Sequence, residues 1–340
     1  MAGADSLPTS DPNDLADALS PALHAVTEGR LSDIAWFHGR TQRGGAATGL
    51  SSWNLGAESV PVVVKFPISE TEYRWTTSLG AVEPDHWHDR WALVIPTPRI
   101  IACGEHLGHY HIRWIVEERL DDGLKADRVS PEDIEDLLRA AADFQAAAIK
   151  LAPLEPRPPR ADWERTIETA RALARSESFP NAHAWADVLR RVHRCLPLLI
   201  HRWESRPINA WCHGDLHPGN CMRRRLPVDL PDPNLVNRHG RVLIDLGMVH
   251  AGHWAEDALY LERQYWGHNE MLGSIKPVPF LARLRRERGL PADDSYGDTA
   301  LVKRVLTASC APALLDREGN QKYLAAALKV VSRHLPQVSK

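Results

Sequence analysis

The residues best suited to chemistry lie between positions 213 and 245. Residues 213–220 read His-Gly-Asp-Leu-His-Pro-Gly-Asn, so Asp215 and Asn220 stand five positions apart around a Pro-Gly turn. A short apolar run, residues 242–244, then ends in Asp245. An aspartate and an asparagine in this arrangement suit a proton acceptor and a metal ligand, and Asp245 suits a second ligand of a hard cation such as magnesium. The pattern indicates phosphoryl transfer from a magnesium–nucleotide to a hydroxyl or amine.

A purely structural interpretation of this stretch is a turn in which Asp215 and Asn220 only make side-chain-to-backbone bonds. The combination of that loop with a later strand ending in an aspartate disfavours it. We expect His213 to be a buried scaffold that bonds backbone near the metal, and His217 to help hold the turn. Asp257, at the start of a later helix, is expected to bond the loop backbone or to cap that helix.

A metal-dependent hydrolase is the rival chemical interpretation. His213, Asp215 and His217, with Cys212 and Cys221 close by, resemble fragments of a transition-metal site. However, no second cluster of histidines follows another predicted strand, and the Pro-Gly-Asn continuation has no place in such a site.

A lysine inside an apolar strand is the second candidate. Residues 62–66 read Val-Val-Val-Lys-Phe, and a lysine buried there is costly unless it is paired. Glu72, on the helix that follows, is the natural partner, and the pair would let Lys65 hold nucleotide phosphates. In the alternative, Lys65 extends to water from a strand edge while Glu72 closes a capping box with Ser69. The catalytic loop downstream favours the paired arrangement.

Two further segments are candidates for nucleotide contacts. Residues 43–49 contain Gly44 and Gly45, and glycines there would let backbone N–H groups approach phosphates. No Walker A lysine follows. Glu117 begins the segment 117–123, which connects the predicted sheet to the predicted helices. Backbone groups at such a junction can bind an adenine edge. A strand end followed by a polar turn explains this segment equally well.

The elements that must position these residues form a sheet-rich part and a helix-rich part. The predicted fold is α+β and bilobal, with a small antiparallel-sheet N-lobe that holds one helix and a larger, mainly helical C-lobe. We predict a helical extension at 1–30, a nucleotide-binding N-lobe at 31–120, and a C-lobe at 121–340 with the catalytic loop and the acceptor site. The predicted strands are 34–37, 50–55, 60–66, 92–95, 99–103 and 111–120, with a strand pair confined to 208–245. The predicted helices are 11–29, 69–80, 130–150, 162–175, 182–204, 254–266, 277–287, 296–315 and 320–334.

Composition bounds the class of protein. The 340 residues are 44% apolar and 25% charged with a net charge of −3, as in a globular protein of about two domains. This charge singles out neither nucleic acid nor membrane as a partner, and the three arginines at 223–225 are either a solvated loop or a phosphate contact.

The five cysteines form no CxxC pair, and the first ten residues lack a secretory signal. We therefore expect free thiols in a cytoplasmic protein.

The sequence resembles the aminoglycoside phosphotransferase/choline kinase family, a branch of the protein-kinase-like fold. The resemblance rests on residues 213–220, on Leu-Ile-Asp-Leu-Gly at 243–247, and on Val-Lys at 64–65 with Glu72. The segments 97–100 and 115–120 also follow the family's order, and the resemblance covers about residues 31–270. Two features depart from the family's pattern: the form of the glycine loop at 43–49, and a longer connection before Asp245 with an insertion at 227–234.

The resemblance implies an ATP-dependent kinase of a small molecule. It implies that Asp215 is the catalytic base, that Asn220 and Asp245 bind magnesium, and that Lys65 binds ATP phosphates with Glu72 as its partner. Relatives phosphorylate aminoglycosides, choline, sugars and other metabolites, and drug-modifying members often offer acidic pockets to cationic substrates. The acids and arginines of the C-lobe do not decide the acceptor. A catalytically weak nucleotide-binding relative is the alternative, although Asp215, Asn220, Asp245 and Lys65 are all present.

Overall fold

The computed structural model describes residues 12–37, 46–56, 58–121, 123–124, 128–154, 158, 160–176, 178–224, 240–318 and 320–339. It divides into two compact units. The sheet unit comprises Met1–Gly123 and Met222–Met248, and the helical unit comprises Leu124–Cys221 and Val249–Lys340. The N-terminal helix and the segment from Met222 to Met248 both group with the sheet.

The described residues form strands and helices in the following order. The strands are β1 Ala35–Phe37, β2 Ala47–Asn54, β3 Ser59–Phe66, β4 Ile100–Gly104, β5 Trp114–Glu118, β6 Ala210–Cys212, β7 Cys221–Arg223, β8 Arg241–Leu243 and β9 His250–Gly252. The helices are α1 Pro12–Val26, α2 Glu70–Gly80, α3 Arg90–Leu93, α4 Pro131–Leu151, α5 Trp163–Leu173, α6 Ala182–Glu204, α7 Glu256–Gln264, α8 Pro277–Glu287, α9 Tyr296–Ser309, α10 Ala311–Glu318 and α11 Gln321–Val338. Short 3₁₀ segments lie at Pro84–His86, Pro218–Asn220, Leu246–Met248 and Asn269–Leu272.

The main sheet of the sheet unit is antiparallel, with the strand order β1-β2-β3-β5-β4. Side chains alternate between the faces of a strand, so Val62, Val64 and Phe66 of β3 enter one buried core. Leu19 and Leu23 of α1 pack into the same core. Lys65 falls on the opposite face of β3 because of this alternation. The apolar pattern of β3 therefore positions the candidate lysine directly.

One predicted strand of this unit is wrong. Residues 92–95 form the end of α3 and a turn rather than a strand. The backbone carbonyls of Leu93 and Ile95 accept hydrogen bonds from the guanidinium of Arg224, at 3.0 and 2.7 Å. Because a side chain satisfies these carbonyls, the segment has no need of a strand partner.

The first helix of the helical unit is α4, which was predicted at 130–150 and is well capped. Ser130 Oγ accepts the Asp133 N–H at 3.2 Å, and the Asp133 carboxylate accepts the Ser130 N–H at 3.1 Å, with Pro131 at the first turn of α4. The core of this unit includes Trp185, Leu189 and other apolar residues of α6, together with residues of α5, α9 and α11.

Two sequence predictions in the helical unit need correction. The helix predicted at 296–315 breaks at Cys310 into α9 and α10, because Pro312 has no N–H for the preceding turn and fits only the first turn of a new helix. A strand also lies outside the predicted interval: β9 pairs antiparallel with β6, with Ala210 opposite Gly252.

All five cysteines are free thiols, as the sequence predicted. Within the described ranges, no helix combines the length and the apolar character needed to cross a membrane.

Candidate functional site

The candidate catalytic loop leaves the buried strand β6 and ends in the 3₁₀ segment Pro218–Asn220. Gly214 has a φ of 83°, a conformation that glycine adopts readily and other residues rarely do. His217 caps the 3₁₀ segment, because its Nδ1 accepts the Gly219 N–H at 3.0 Å. His217 therefore holds the turn as the sequence predicted.

Three side chains surround the carboxylate of Asp215, and with it they form what we call the loop cluster. Tyr260 Oη donates a short hydrogen bond to Oδ1, and Asn220 Nδ2 donates to Oδ2 at 3.2 Å. His217 Nε2 lies 3.5 Å from the same Oδ2. The hydrogen bond with His217 lowers the pKa of Asp215 most, burial opposes it, and the hydrogen bond from Tyr260 lowers it further. Asp215 is therefore ionised at neutral pH.

The orientation of Asn220 fits its predicted metal role. Its side-chain NH₂ donates to the backbone carbonyl of Asp215 at 3.0 Å as well as to the carboxylate. Since the amide nitrogen faces Asp215, the amide oxygen remains as the donor for a cation. Asn220 is buried, so its geometry is held before any ligand binds.

Asp257 fixes the start of the catalytic loop. Its carboxylate accepts the backbone N–H groups of His213 and Gly214, both at 3.0 Å, and the side-chain NH₂ of Gln145 at 3.1 Å. Arg285 Nη1 donates to the other side of the Gln145 amide at 2.6 Å. His213 is fully buried. Asp257 and His213 thus both have the scaffold role that the sequence indicated.

Tyr260 is the member of the loop cluster that sequence reasoning missed. It lies on α7 three residues after Asp257, and residues at this spacing share a face of a helix. Burial, then its hydrogen bond and the negative charge of Asp215, raise the pKa of Tyr260 to about 12, so it acts as a donor. The sequence did contain a signal for Tyr260. Because Asp257 was expected to face the loop, its i, i+3 neighbour could have been expected to face the loop as well.

The second cluster, the lysine cluster, lies in the sheet unit and comprises Lys65, Glu72 and Asp245. Lys65 Nζ forms an ion pair with Glu72 Oε1 and lies 3.9 Å from Asp245 Oδ1. Only 15% of the Lys65 side chain and 10% of the Glu72 side chain are exposed. Burial by itself would lower the pKa of Lys65, but the negative charges of Glu72 and Asp245 outweigh it and raise the pKa. Lys65 therefore remains a cation.

The helix α2 positions Glu72 for this pair. Ser69 caps the helix, since its Oγ accepts the Glu72 N–H at 3.1 Å. The Glu72 carboxylate faces Lys65 instead of returning to the Ser69 backbone. The structure thus favours the paired arrangement over the closed capping box.

Asp245 lies just beyond β8 in the left-handed region, with a φ of 61°. Few residues other than glycine adopt this conformation, and it is often found where function requires it. About half of the Asp245 side chain, 51%, is exposed. Its carboxylate is thus both held near Lys65 and open to a ligand. Because magnesium prefers oxygen donors, the carboxylate of Asp245 and the amide oxygen of Asn220 each fit the predicted metal role.

Glu117 lies on β5, opposite Val63 of β3 and Ile100 of β4. Burial raises its pKa to about 8; the negative charges of Glu72, Glu118 and Asp245 add to this, and Lys65 opposes it. Glu117 thus lies within the electrostatic reach of the lysine cluster. The other predicted nucleotide contacts, Gly44 and Gly45, fall outside the described residues.

Arg224 belongs to the basic run at 223–225, which the sequence suggested to be a solvated loop or a phosphate contact. Neither interpretation is right for Arg224. It is buried, and its Nε donates to Glu118 Oε1 at 2.9 Å. Arg99 Nε donates to the other oxygen of Glu118 at 2.8 Å. Arg224 is therefore a structural cation inside the sheet unit, neither solvated nor available to phosphate.

The hydrolase interpretation receives no support from the geometry. Among the described residues, three metal-ligating groups come close together at Cys212, His250 and Glu256, and this set contains none of His213, Asp215 and His217. Burial raises the pKa of the Cys212 thiol well above its usual value, and its Sγ donates to the His253 carbonyl at 3.3 Å.

The family model described as the phosphotransferase enzyme family matches residues 85–296, which is more than half of the chain. The chain belongs to this family. The matched range contains the whole catalytic loop and Asp245, so the resemblance deduced from the motifs is confirmed. No curated protein matches this phosphotransferase at the level of sequence.

Solved structures resemble this phosphotransferase over nearly its whole length. A choline/ethanolamine kinase family protein from Mesorhizobium loti is 13% identical, with a TM-score of 0.51 over 96% of this chain and 99% of the other. An aminoglycoside phosphotransferase from Alicyclobacillus acidocaldarius is 15% identical, with a TM-score of 0.48 over 91% of this chain and 89% of the other. The first likeness supports the predicted α+β, protein-kinase-like fold.

Proposed function

We propose that this phosphotransferase moves the γ-phosphoryl group of magnesium–ATP to a hydroxyl group of a small molecule. The observation that carries the proposal is the state of Asp215, an ionised carboxylate held in the catalytic loop by Tyr260, Asn220 and His217. A carboxylate so held can accept a hydrogen bond from an incoming hydroxyl, because each oxygen has more than one acceptor position.

The lowered pKa of Asp215 accords with this reaction. The acceptor oxygen forms a bond to the γ-phosphorus while the bond from that phosphorus to ADP breaks, and the hydroxyl proton passes to Asp215. In the loose transition state of phosphoryl transfer, charge spreads over the transferred group and little covalent chemistry falls to the protein. A weak base therefore suffices, and its main task is to orient the hydroxyl.

The lysine cluster supplies the nucleotide side of the proposal. Lys65, held as a cation beside Glu72, would neutralise ATP phosphates. The carboxylate of Asp245 would offer an oxygen ligand to magnesium, and the amide oxygen of Asn220 would offer another. Magnesium neutralises phosphate charge when it is bound. Glu117, Gly44 and Gly45 stay predictions as further nucleotide contacts.

The test is a transfer assay with product identification by mass spectrometry, using magnesium–ATP and a panel of hydroxylated metabolites. Asp215→Asn should reduce kcat by about 10²- to 10⁴-fold, as expected for loss of a proton-accepting group, while the Kd for magnesium–ATP changes little. Asp294→Asn is the matched control, because the Asp294 side chain is fully exposed.

The outcomes separate the alternatives. Near-normal turnover in Asp215→Asn would overturn the role of Asp215. Tight magnesium–ATP binding by the wild-type protein without transfer to any metabolite would favour the catalytically weak relative instead.

A further inference from the structure

A cavity of about 360 Å³ lies within the helical unit and reaches the loop cluster. Gly214 and Tyr260 line it, and Tyr260 donates its hydroxyl hydrogen to Asp215. The wall of the cavity is therefore in direct contact with the carboxylate proposed to accept the proton. Its volume is near the lower end of the roughly 300–1,000 Å³ typical of small-molecule sites, which suits a small metabolite.

Cations dominate the lining of this cavity. Five lysine and arginine side chains line it together with two carboxylates, those of Asp162 and Glu256. The five cations are Arg160, Arg206, Arg263, Lys303 and Arg304. A cavity of this charge favours an anion and disfavours an amine.

The two lining carboxylates are already engaged. Arg206 Nε donates to Glu256 at 2.9 Å, and Asp162 caps α5 by accepting the Arg165 N–H at 3.0 Å. Arg304 is bound by two hydrogen bonds of 2.7 Å to Glu262, which is outside the lining. Each of these carboxylates thus already accepts hydrogen bonds from the protein, which makes it a weaker partner for a cationic acceptor.

Lys303 is a further lining cation, and it is held against two tryptophan rings. Its Nζ lies 4.8 Å from the centre of the Trp163 ring and 4.4 Å from that of Trp203. Among the residues described by the structure, no carboxylate forms an ion pair with it. Burial lowers the pKa of Lys303 despite the attraction of Glu256, as expected for an ammonium group without a close counterion. The two tryptophan faces that would attract a ligand cation already hold a cation of the protein.

We infer that the acceptor is a hydroxylated small molecule carrying a carboxylate or phosphate group, which Lys303 binds inside the cavity. Arg263 also lines this cavity and supplies a second cation, with its Cζ 4.4 Å from the centre of the Tyr260 ring. An anion bound by both Lys303 and Arg263 would therefore be near the loop cluster. A hydroxyl of the same molecule would then face Asp215. This inference rests on the proposed phosphoryl transfer and names its acceptor class.

The experiment compares polyols that share one carbon skeleton and differ in charge. D-Gluconate and D-glucitol 6-phosphate are the anionic probes, D-glucitol is neutral, and D-glucamine is cationic. Quenching of tryptophan fluorescence measures binding without nucleotide, because Trp163 and Trp203 flank Lys303. Phosphorylation of each probe by magnesium–ATP is measured separately, so failed transfer and failed anion binding are distinguished.

We expect at least one anionic probe to bind about tenfold or more tightly than D-glucitol, and D-glucamine to bind most weakly. Lys303→Met should weaken binding of the anion by about 10- to 100-fold, as expected for loss of a hydrogen bond to a charged group. Lys303→Arg should retain most of it. Lys329→Met, at an exposed position on α11, is the control and should bind the anion as the wild type does.

Two results would overturn the inference. One is binding or phosphorylation of D-glucamine at least as efficient as that of the anionic probes. The other is unchanged anion binding in a folded Lys303→Met protein. Anion binding that depends on Lys303 without any transfer would support the assigned acceptor class and count against the proposed function. The carboxylate and phosphate probes then show which of the two groups is preferred.

Discussion

The hydroxyl of Tyr260 donates a hydrogen bond to the carboxylate of Asp215, across 45 positions of the sequence. Tyr260 also lines the charged cavity of the helical unit. One side chain thus links the candidate base to the space proposed for the acceptor. Its contribution to the chemistry can be separated from its contribution to packing, because phenylalanine retains the ring and removes only the donor.

Tyr260→Phe should move the acid limb of the kcat/KM profile to higher pH. Asp215 must be ionised to accept a proton, and the donor lost in this variant is one of the groups that lower its pKa. We expect kcat to fall by roughly 3- to 10-fold, the effect of a modest net hydrogen bond. Tyr110→Phe, at an exposed position, is the control. An acid limb that does not move would contradict a direct effect of Tyr260 on Asp215.

Asp245→Asn should raise the magnesium concentration needed for half-maximal activity by about tenfold or more, because an amide oxygen is a weaker ligand than a carboxylate for a hard cation. The free energy of unfolding should change little, since the Asp245 side chain is half exposed. Titration of activity with magnesium at fixed ATP measures the effect. Asp33→Asn, exposed in the same unit, serves as the comparison. A normal magnesium dependence in Asp245→Asn would rule out the ligand role.

Asp257→Ala should destabilise the helical unit and slow the reaction together. The substitution leaves the N–H groups of His213 and Gly214 without their acceptor, at a cost of about 1–3 kcal/mol per buried donor that stays unpaired. Urea unfolding measures the loss, and kcat at permissive temperature reports the disordered loop. Asp187→Ala, on the exposed side of α6 with a 3.6 Å ion pair to Arg190, should change stability by less than about 1 kcal/mol. Equal stabilities of the two variants would contradict the scaffold role.

Glu117→Gln should stabilise the protein at neutral and alkaline pH in the absence of nucleotide and magnesium. The folded-state pKa of Glu117 is raised from 4.5 to about 8, so the folded protein binds a proton there more tightly than the unfolded chain does. The associated stability is complete below about pH 4.5 and is lost as pH rises to about 8. Urea unfolding at several pH values should therefore show no difference from wild type at pH 4.5 and an advantage for Glu117→Gln of a few kcal/mol at most near pH 8. A difference that does not vary with pH would refute the raised pKa.

Most of the fold could be predicted from local pattern. The alternation of apolar residues in β3 placed Lys65 on the face opposite the core, and the Ser69 cap placed Glu72 in the first turn of α2. Both are consequences of geometry within about ten residues. The strand predicted at 92–95 was wrong because Arg224, more than a hundred positions away, binds the carbonyls of Leu93 and Ile95. β9 was missed because three residues carry too little periodicity to identify a strand.

The sequence by itself determined which residues are candidates for the chemistry, because the predicted catalytic loop, the strand ending at Asp245 and the Lys65–Glu72 pair are each encoded by short segments with characteristic spacing. Only the tertiary structure decided what surrounds them. Tyr260 meets Asp215, Arg224 meets Glu118, and Lys303 lies between two tryptophans from other elements. Such contacts join residues distant in sequence, so no local pattern predicts them. The charge of the cavity likewise depends on which side chains the folded helices turn toward the same space.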